Sequence, residues 1–172
     1  LSHFTLYRNN SSDFNYTGSM TYCCLMYTTG SIPDSSNVHA QLGICDGGGD
    51  GNSLNQVPQR WALQINNQGY LRYGHHNQAH DTFYSVVADR KVRTHHTWHH
   101  VAFTRAGGTG VILYFDGVQI ASSSLAEGPG YSGTAYFSIG DIYNYRRTLT
   151  NTVAVTSCVL YDKELTANQI KY

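Results

Sequence analysis

The run Val111-Ile112-Leu113-Tyr114-Phe115-Asp116-Gly117-Val118-Gln119-Ile120-Ala121 spells out two strands and the turn between them. Val111, Leu113 and Phe115 point one way and Ile112 and Tyr114 the other, the two-residue period of a half-buried strand. Asp116-Gly117 suits a two-residue turn that needs positive φ, so the pair serves hairpin geometry and not chemistry. Upstream, Trp98 to Thr104 is a strand that reaches this hairpin through the turn Ala106 to Gly110. Trp61, Leu63 and Ile65 alternate with Ala62 and Gln64, and Asn66-Asn67-Gln68-Gly69 turns the chain into a returning strand, Tyr70 to Tyr73. Met20 to Tyr27 is apolar on both faces and predicts a central strand. Val38 to Cys45, Ala135 to Gly140 and Val153 to Tyr161 complete the series, and Thr166 caps a single helical turn over Ala167 to Ile170. Short strands at even spacing, about ten to twelve of them, with no helix of consequence, predict an antiparallel sandwich or barrel.

Composition agrees. The chain has 172 residues, 14 of them tyrosine and 17 glycine, with only 3 prolines. That length fits one domain, 1–172, able to bury a core without covalent staples. Charged residues are 13% of the chain, and 11 cationic residues balance 11 acidic ones. A neutral, sparsely charged chain is a poor partner for polyphosphate, which excludes nucleic acid. No apolar run reaches the roughly 20 residues that cross a bilayer, so membrane insertion is not expected. The chain opens at Leu1 with nothing like a signal peptide, as expected of a processed product or a piece of a longer protein. The sequons at Asn9, Asn10 and Asn15 hint at secretion, although serine and threonine are so frequent that chance supplies some. Cys23, Cys24, Cys45 and Cys158 show no C-x-x-C spacing. Neighbours on a strand face oppositely, so Cys23 and Cys24 cannot share a partner. One disulfide, for example to Cys158 or Cys45, and four free thiols both remain open.

Several of these segments together are similar to one family. Trp98-His99-His100-Val101-Ala102-Phe103-Thr104 followed by the Val111–Ile120 hairpin resembles the laminin-G-like family of the concanavalin A-like lectin/glucanase superfamily. Tyr136-Phe137-Ser138-Ile139-Gly140 resembles its strand ending in Ile-Gly. Cys158 to Ile170, with Tyr161, Leu165, Thr166 and Ile170, resembles its closing strand and turn, and Trp61 to Tyr73 its upstream hairpin. The resemblance covers about residues 20–172 and is specific for the fold, not for a ligand. It implies an all-β, concanavalin A-like jelly-roll sandwich of two curved antiparallel sheets. Read from the residues themselves, Trp98 is expected as a core anchor ahead of a ligand platform, and Tyr161 to Leu165 as packing that folds the terminal turn back on the sheet.

Enzymes occur on this scaffold, but glycoside hydrolysis needs two facing carboxylates. The only glutamates are Glu127 and Glu164, and there is no E-x-D-x-E strand and no G-x-S-x-G elbow, so no enzyme is expected. A histidine–tyrosine lyase site is the residual catalytic arrangement. Sugar recognition instead combines aromatic faces with planar hydrogen-bonding groups. Three loops carry that mixture: Tyr73 to Asp81 with His75, His76 and Asn77; Gly128 to Tyr131; and Asp141 to Arg147 with Tyr143, Tyr145 and Arg146. The paired arginines also suit an acidic sugar. In the glycine-rich loop Asp46, Asp50 and Asn52 offer hard oxygens for calcium, against the plainer role of a solvated loop. The histidine clusters 75/76/80 and 95/96/99/100 are read as structural or surface groups ahead of a zinc site. The expected function is a non-catalytic, lectin-like module for glycans, acidic ones among them, needing no cofactor beyond that calcium. The alternative is a receptor-binding or structural domain of a viral, phage or adhesin surface protein that docks on a protein partner. Either is expected outside the cell or on a virion or cell surface, in multiple copies through a parent protein.

Overall fold

The computed structural model describes residues 6–11, 18–29, 40–46, 59–66, 68–77, 79, 82–92, 96–129, 135–139 and 153–171. Among the described residues eleven strands and one helical turn follow in order: β1 (Leu6–Ser11), β2 (Met20–Thr28), β3 (Ala40–Asp46), β4 (Gln59–Ile65), β5 (Tyr70–His76), β6 (Phe83–Lys91), β7 (Trp98–Ala106), β8 (Gly110–Phe115), β9 (Val118–Ser124), β10 (Ala135–Ile139), β11 (Val153–Tyr161) and α1 (Ala167–Ile170). They form two antiparallel sheets, one in the order β1-β10-β3-β4-β5-β6 and the other β11-β2-β7-β8-β9. This is the expected jelly-roll sandwich. β1 and β6 carry no clean apolar alternation and were not among the predicted strands; the sheet ladder on their partners, not their own pattern, makes them strands. Among the described residues no helix is long and apolar enough to cross a membrane.

The core lies between the two sheets and follows from strand alternation. Met20, Tyr22, Cys24 and Met26 of β2 and Val101 and Phe103 of β7 point inward, onto Trp61, Leu63 and Ile65 of β4 and Leu71 and Tyr73 of β5. Aromatic rings interlock at its centre: Tyr22 lies 5.1 Å from Trp61, and Phe103 lies 5.5 Å from Trp61 and 4.7 Å from Tyr73, all in tilted arrangements. The Tyr22 hydroxyl donates to the Leu42 carbonyl at 2.8 Å. Gly43 makes room for that ring, since a Cβ there would stand 2.5 Å from it. The β8–β9 turn is as expected, with Asp116 at φ 50° and Gly117 at φ 73°.

One polar chain runs through this apolar interior. Arg105 faces inward and is fully buried. Its Nη1 donates to the Tyr73 hydroxyl at 3.0 Å and its Nε to the Gly18 carbonyl at 2.9 Å. Tyr73 lies 3.0 Å from Nδ1 of His75, and Nε2 of His75 lies 2.9 Å from the Glu127 carbonyl. A carbonyl only accepts, so Nε2 carries the proton and Nδ1 accepts from Tyr73. Donor meets acceptor at each of these steps, with His75 neutral.

Candidate functional site

The outward face of the five-stranded sheet is divided in two. One half is covered by the end of the chain, where Leu165 and Ile170 pack on Ala102 and Tyr114 with Cys23, Ile112 and Tyr161 at the margin. Thr21 fastens this cover: its hydroxyl donates to the Lys163 carbonyl at 2.8 Å and accepts the Leu165 amide at 2.9 Å. Thr166 caps α1 through a capping box with Gln169. The other half is not covered this way. There Tyr27 of β2 and Trp98 of β7 are direct cross-strand partners, and their rings sit 5.5 Å apart at 47°. Trp98 is 48% exposed.

Trp98 is therefore not the core anchor expected of it. Val101 and Phe103 face the core, so by alternation Trp98, His100 and Ala102 face outward. That parity was available in the sequence and identifies the residue that the bulk of tryptophan alone misassigned.

The platform is held from both sides. Ahead of it, His96 takes φ 48° and its amide donates to the Thr28 carbonyl at 3.0 Å. Behind it, the Asp116 carboxylate accepts from His99 Nδ1 at 2.6 Å and from the His100 amide at 2.9 Å, while the Asp116 amide donates to the His100 carbonyl at 2.8 Å. The His99 ring stacks on Phe115 at 4.5 Å. Beside the rings, the next outward pair is Leu25 and His100, with Thr156 exposed opposite Leu25. Burial pushes the His100 imidazole below the usual histidine range, against the opposing pull of Asp116, so its ring is favoured neutral. The surface thus offers two aromatic faces with neutral hydrogen-bonding groups at the rim. The outward face of the six-stranded sheet differs: it carries the polar row Gln41, Gln64 and Arg72, with Arg72 over the Phe83 ring at 4.5 Å, but both glutamines are buried.

The expected ligand residues that are described, His75, His76 and Asn77, lie on the other sheet and the turn that follows it. Tyr73 to His76 belongs to β5 and is not a loop. His75 is buried with both ring nitrogens engaged inside the protein, so it presents nothing to a ligand. Asn77 is buried too; its side-chain oxygen accepts the Thr82 amide at 3.3 Å and closes the β5–β6 turn. His76 is half-buried with its ring edge-on to Phe83 at 4.9 Å. Tyr131, Tyr143, Tyr145, Arg146, Asp50 and Asn52 lie outside the described residues, as does the side chain of Asp46. Among the described residues no group of three histidine, cysteine, aspartate or glutamate side chains is arranged to hold a metal.

Residues 2–171 match the concanavalin A-like lectin/glucanases superfamily. The chain belongs to that superfamily. No curated protein matches it. Among solved structures, it is similar to a botulinum neurotoxin DC binding domain in complex with rat synaptotagmin II (12% identity, TM-score 0.67, covering 97% of this chain and 38% of that one). It is also similar to the DC binding domain in complex with SialylT (12%, TM-score 0.65, 97% and 38%). A third is a heptameric SAP-like pentraxin from Limulus polyphemus (14%, TM-score 0.57, 90% and 69%). At these identities the likeness is one of fold. The chain spans about two fifths of the toxin domains that it resembles. The two toxin neighbours are binding domains.

Proposed function

We propose that this domain is a non-catalytic carbohydrate-binding module whose ligand rests on the Tyr27–Trp98 platform. The observation that carries the reading is an exposed tryptophan paired with a tyrosine on the outward sheet face, with His100 and Thr156 on the strands beside them. Large aromatic faces cover the apolar side of a pyranose at low rotamer cost, and neutral polar groups at the edge take its hydroxyls. Asp116, the carboxylate nearest this surface in the β7–β8 ladder, spends its oxygens on His99 and the His100 amide, which suits positioning and not bond cleavage. Complexes of similar toxin domains with SialylT and with synaptotagmin support a recognition role outside the cell or on a surface, with a protein receptor as the second reading. Contact with acidic glycans would fall to Arg146 beside Tyr143 and Tyr145, and calcium to Asp46, Asp50 and Asn52. Single-site affinity is weak on this reading, and repeated copies supply strength.

A glycan array with neutral and sialylated structures, with and without calcium, tests this. Hits weakened by about tenfold or more in both Trp98→Ala and Tyr27→Ala, a change of about 1.4 kcal/mol, support the platform. Hits indifferent to both substitutions, or an array without hits alongside a saturable protein receptor, overturn it.

A further inference from the structure

The four cysteines are free thiols, and two of them face each other. β11 runs antiparallel to β2 with Val155 opposite Met26 and Thr156 opposite Leu25, then resumes with Val159 opposite Cys23. Ser157 and Cys158 therefore both stand against the single residue Cys24. This is a β-bulge, and Ser157 takes the left-handed φ of 52° within it. The extra residue reverses the alternation of everything after it. Without it, Cys158 and Leu160 would follow Thr156 to the outside; with it, both pack against the core and Val159 is exposed. Cys158 is thereby turned inward, beside the fully buried Cys24, with its thiol 3.9 Å from the Thr156 carbonyl. The directly opposed pairs Thr156–Leu25 and Val159–Cys23 bracket the two cysteines, and such pairs have Cα atoms about 4.5–5.5 Å apart, which keeps the bulge near the roughly 4.4–6.8 Å that a disulfide spans. The other cysteines are placed differently: Cys23 points to the outer face, and Cys45 lies on the opposite sheet against Trp61.

We propose that Cys24 and Cys158 are a redox pair that closes to a disulfide by exchange with a low-molecular-weight disulfide such as oxidised glutathione. Cys158 is the attacking group: it lies on the edge strand β11 and is only half-buried. The neighbouring Cys24 thiol brings its own thiol down to about 7 against the opposing effect of burial, which supplies thiolate near neutral pH. The Cys158 sulfur attacks one sulfur of the small disulfide, forming a mixed disulfide and expelling one thiolate. Cys24 gives its proton to a departing thiolate and attacks the Cys158 sulfur, releasing the second. One S–S bond breaks and one forms; the protein loses two S–H hydrogens, and the small molecule is reduced to two thiols. The product fastens the edge strand to its neighbour, and the pair is independent of what the aromatic platform binds.

The test is a thiol count on the folded domain after incubation with oxidised glutathione, alkylation and unfolding. We expect the wild-type count to fall from four to two, with recovery to four in dithiothreitol. Cys23→Ser and Cys45→Ser should each still lose two thiols. Cys24→Ser should stop at a glutathione adduct on Cys158. A wild-type count that stays at four, a persistent wild-type adduct, or a loss of two thiols retained in Cys24→Ser would overturn the pairing. The wild-type measurement does not depend on any variant folding.

Discussion

Acid should destabilise this domain through His75, and the size of the effect follows from the buried chain Arg105–Tyr73–His75. Burial is the main cause that brings His75 from 6.5 to about 4; its bond to the Glu127 carbonyl opposes the shift, while the positive charges of Arg105 and His76 add to it. In the unfolded chain the ring takes a proton near 6.5. The folded value is the lower one, so the unfolded state binds more protons between the two, and stability falls as pH falls. The contribution is complete above about 6.5 and wholly lost below about 4. A shift of that size corresponds to about 3 kcal/mol in total, of which about 2 kcal/mol is gone by about pH 5. Against a domain stability of about 5–15 kcal/mol, that is a large fraction. The assay is urea unfolding at steps from about pH 7.5 to about pH 4.5 on wild type and on His75→Gln. Glutamine offers an N–H for the Glu127 carbonyl and an acceptor for Tyr73, and it does not titrate. Other groups titrate alike in both chains and cancel in the difference. The wild-type advantage at neutral pH should shrink by about 2 kcal/mol at about pH 5. Parallel curves, with a difference that does not change with pH, would refute the neutral buried imidazole.

Other expectations are simpler. Trp98→Ala should leave unfolding stability within about 1 kcal/mol of wild type, because a ring 48% exposed adds little to the core; a much larger loss would return Trp98 to a packing role. Gly43→Ala should cost about 1–3 kcal/mol, since the new methyl meets the Tyr22 ring, and a combined Tyr22→Leu change should relieve part of it in chemical denaturation. Thr21→Val removes the acceptor for Leu165 and the donor to Lys163, so it should cost about 1–3 kcal/mol and raise hydrogen exchange across 163–171 ahead of the rest of the sheet. Unchanged exchange there would mean that the apolar contacts of Leu165 and Ile170 alone hold the cover.

Much of this protein was legible as a sequence because it depends on local rules. The Asp116-Gly117 turn needs positive φ, Thr166 is a helix cap, and Val111, Leu113 and Phe115 alternate, so hairpin, helical turn and a shared strand face follow from the residues themselves. The same alternation correctly sends Cys23 and Cys24, and His99 and His100, to opposite faces. Tertiary structure settled what depends on partners distant in the chain. His75 reads like a ligand group beside Tyr73 and Asn77, but Arg105 and Glu127 arrive from other strands and segments and enclose it. Trp98 reads like core, but it opens a strand at a point where the terminal cover does not reach. Cys158 has no fixed partner in the sequence, where a disulfide and free thiols both stay open, until one extra residue in β11 turns it toward Cys24. Alternation is a property of one strand, whereas burial and the apposition of side chains are set by which strand, turn or terminus packs across it.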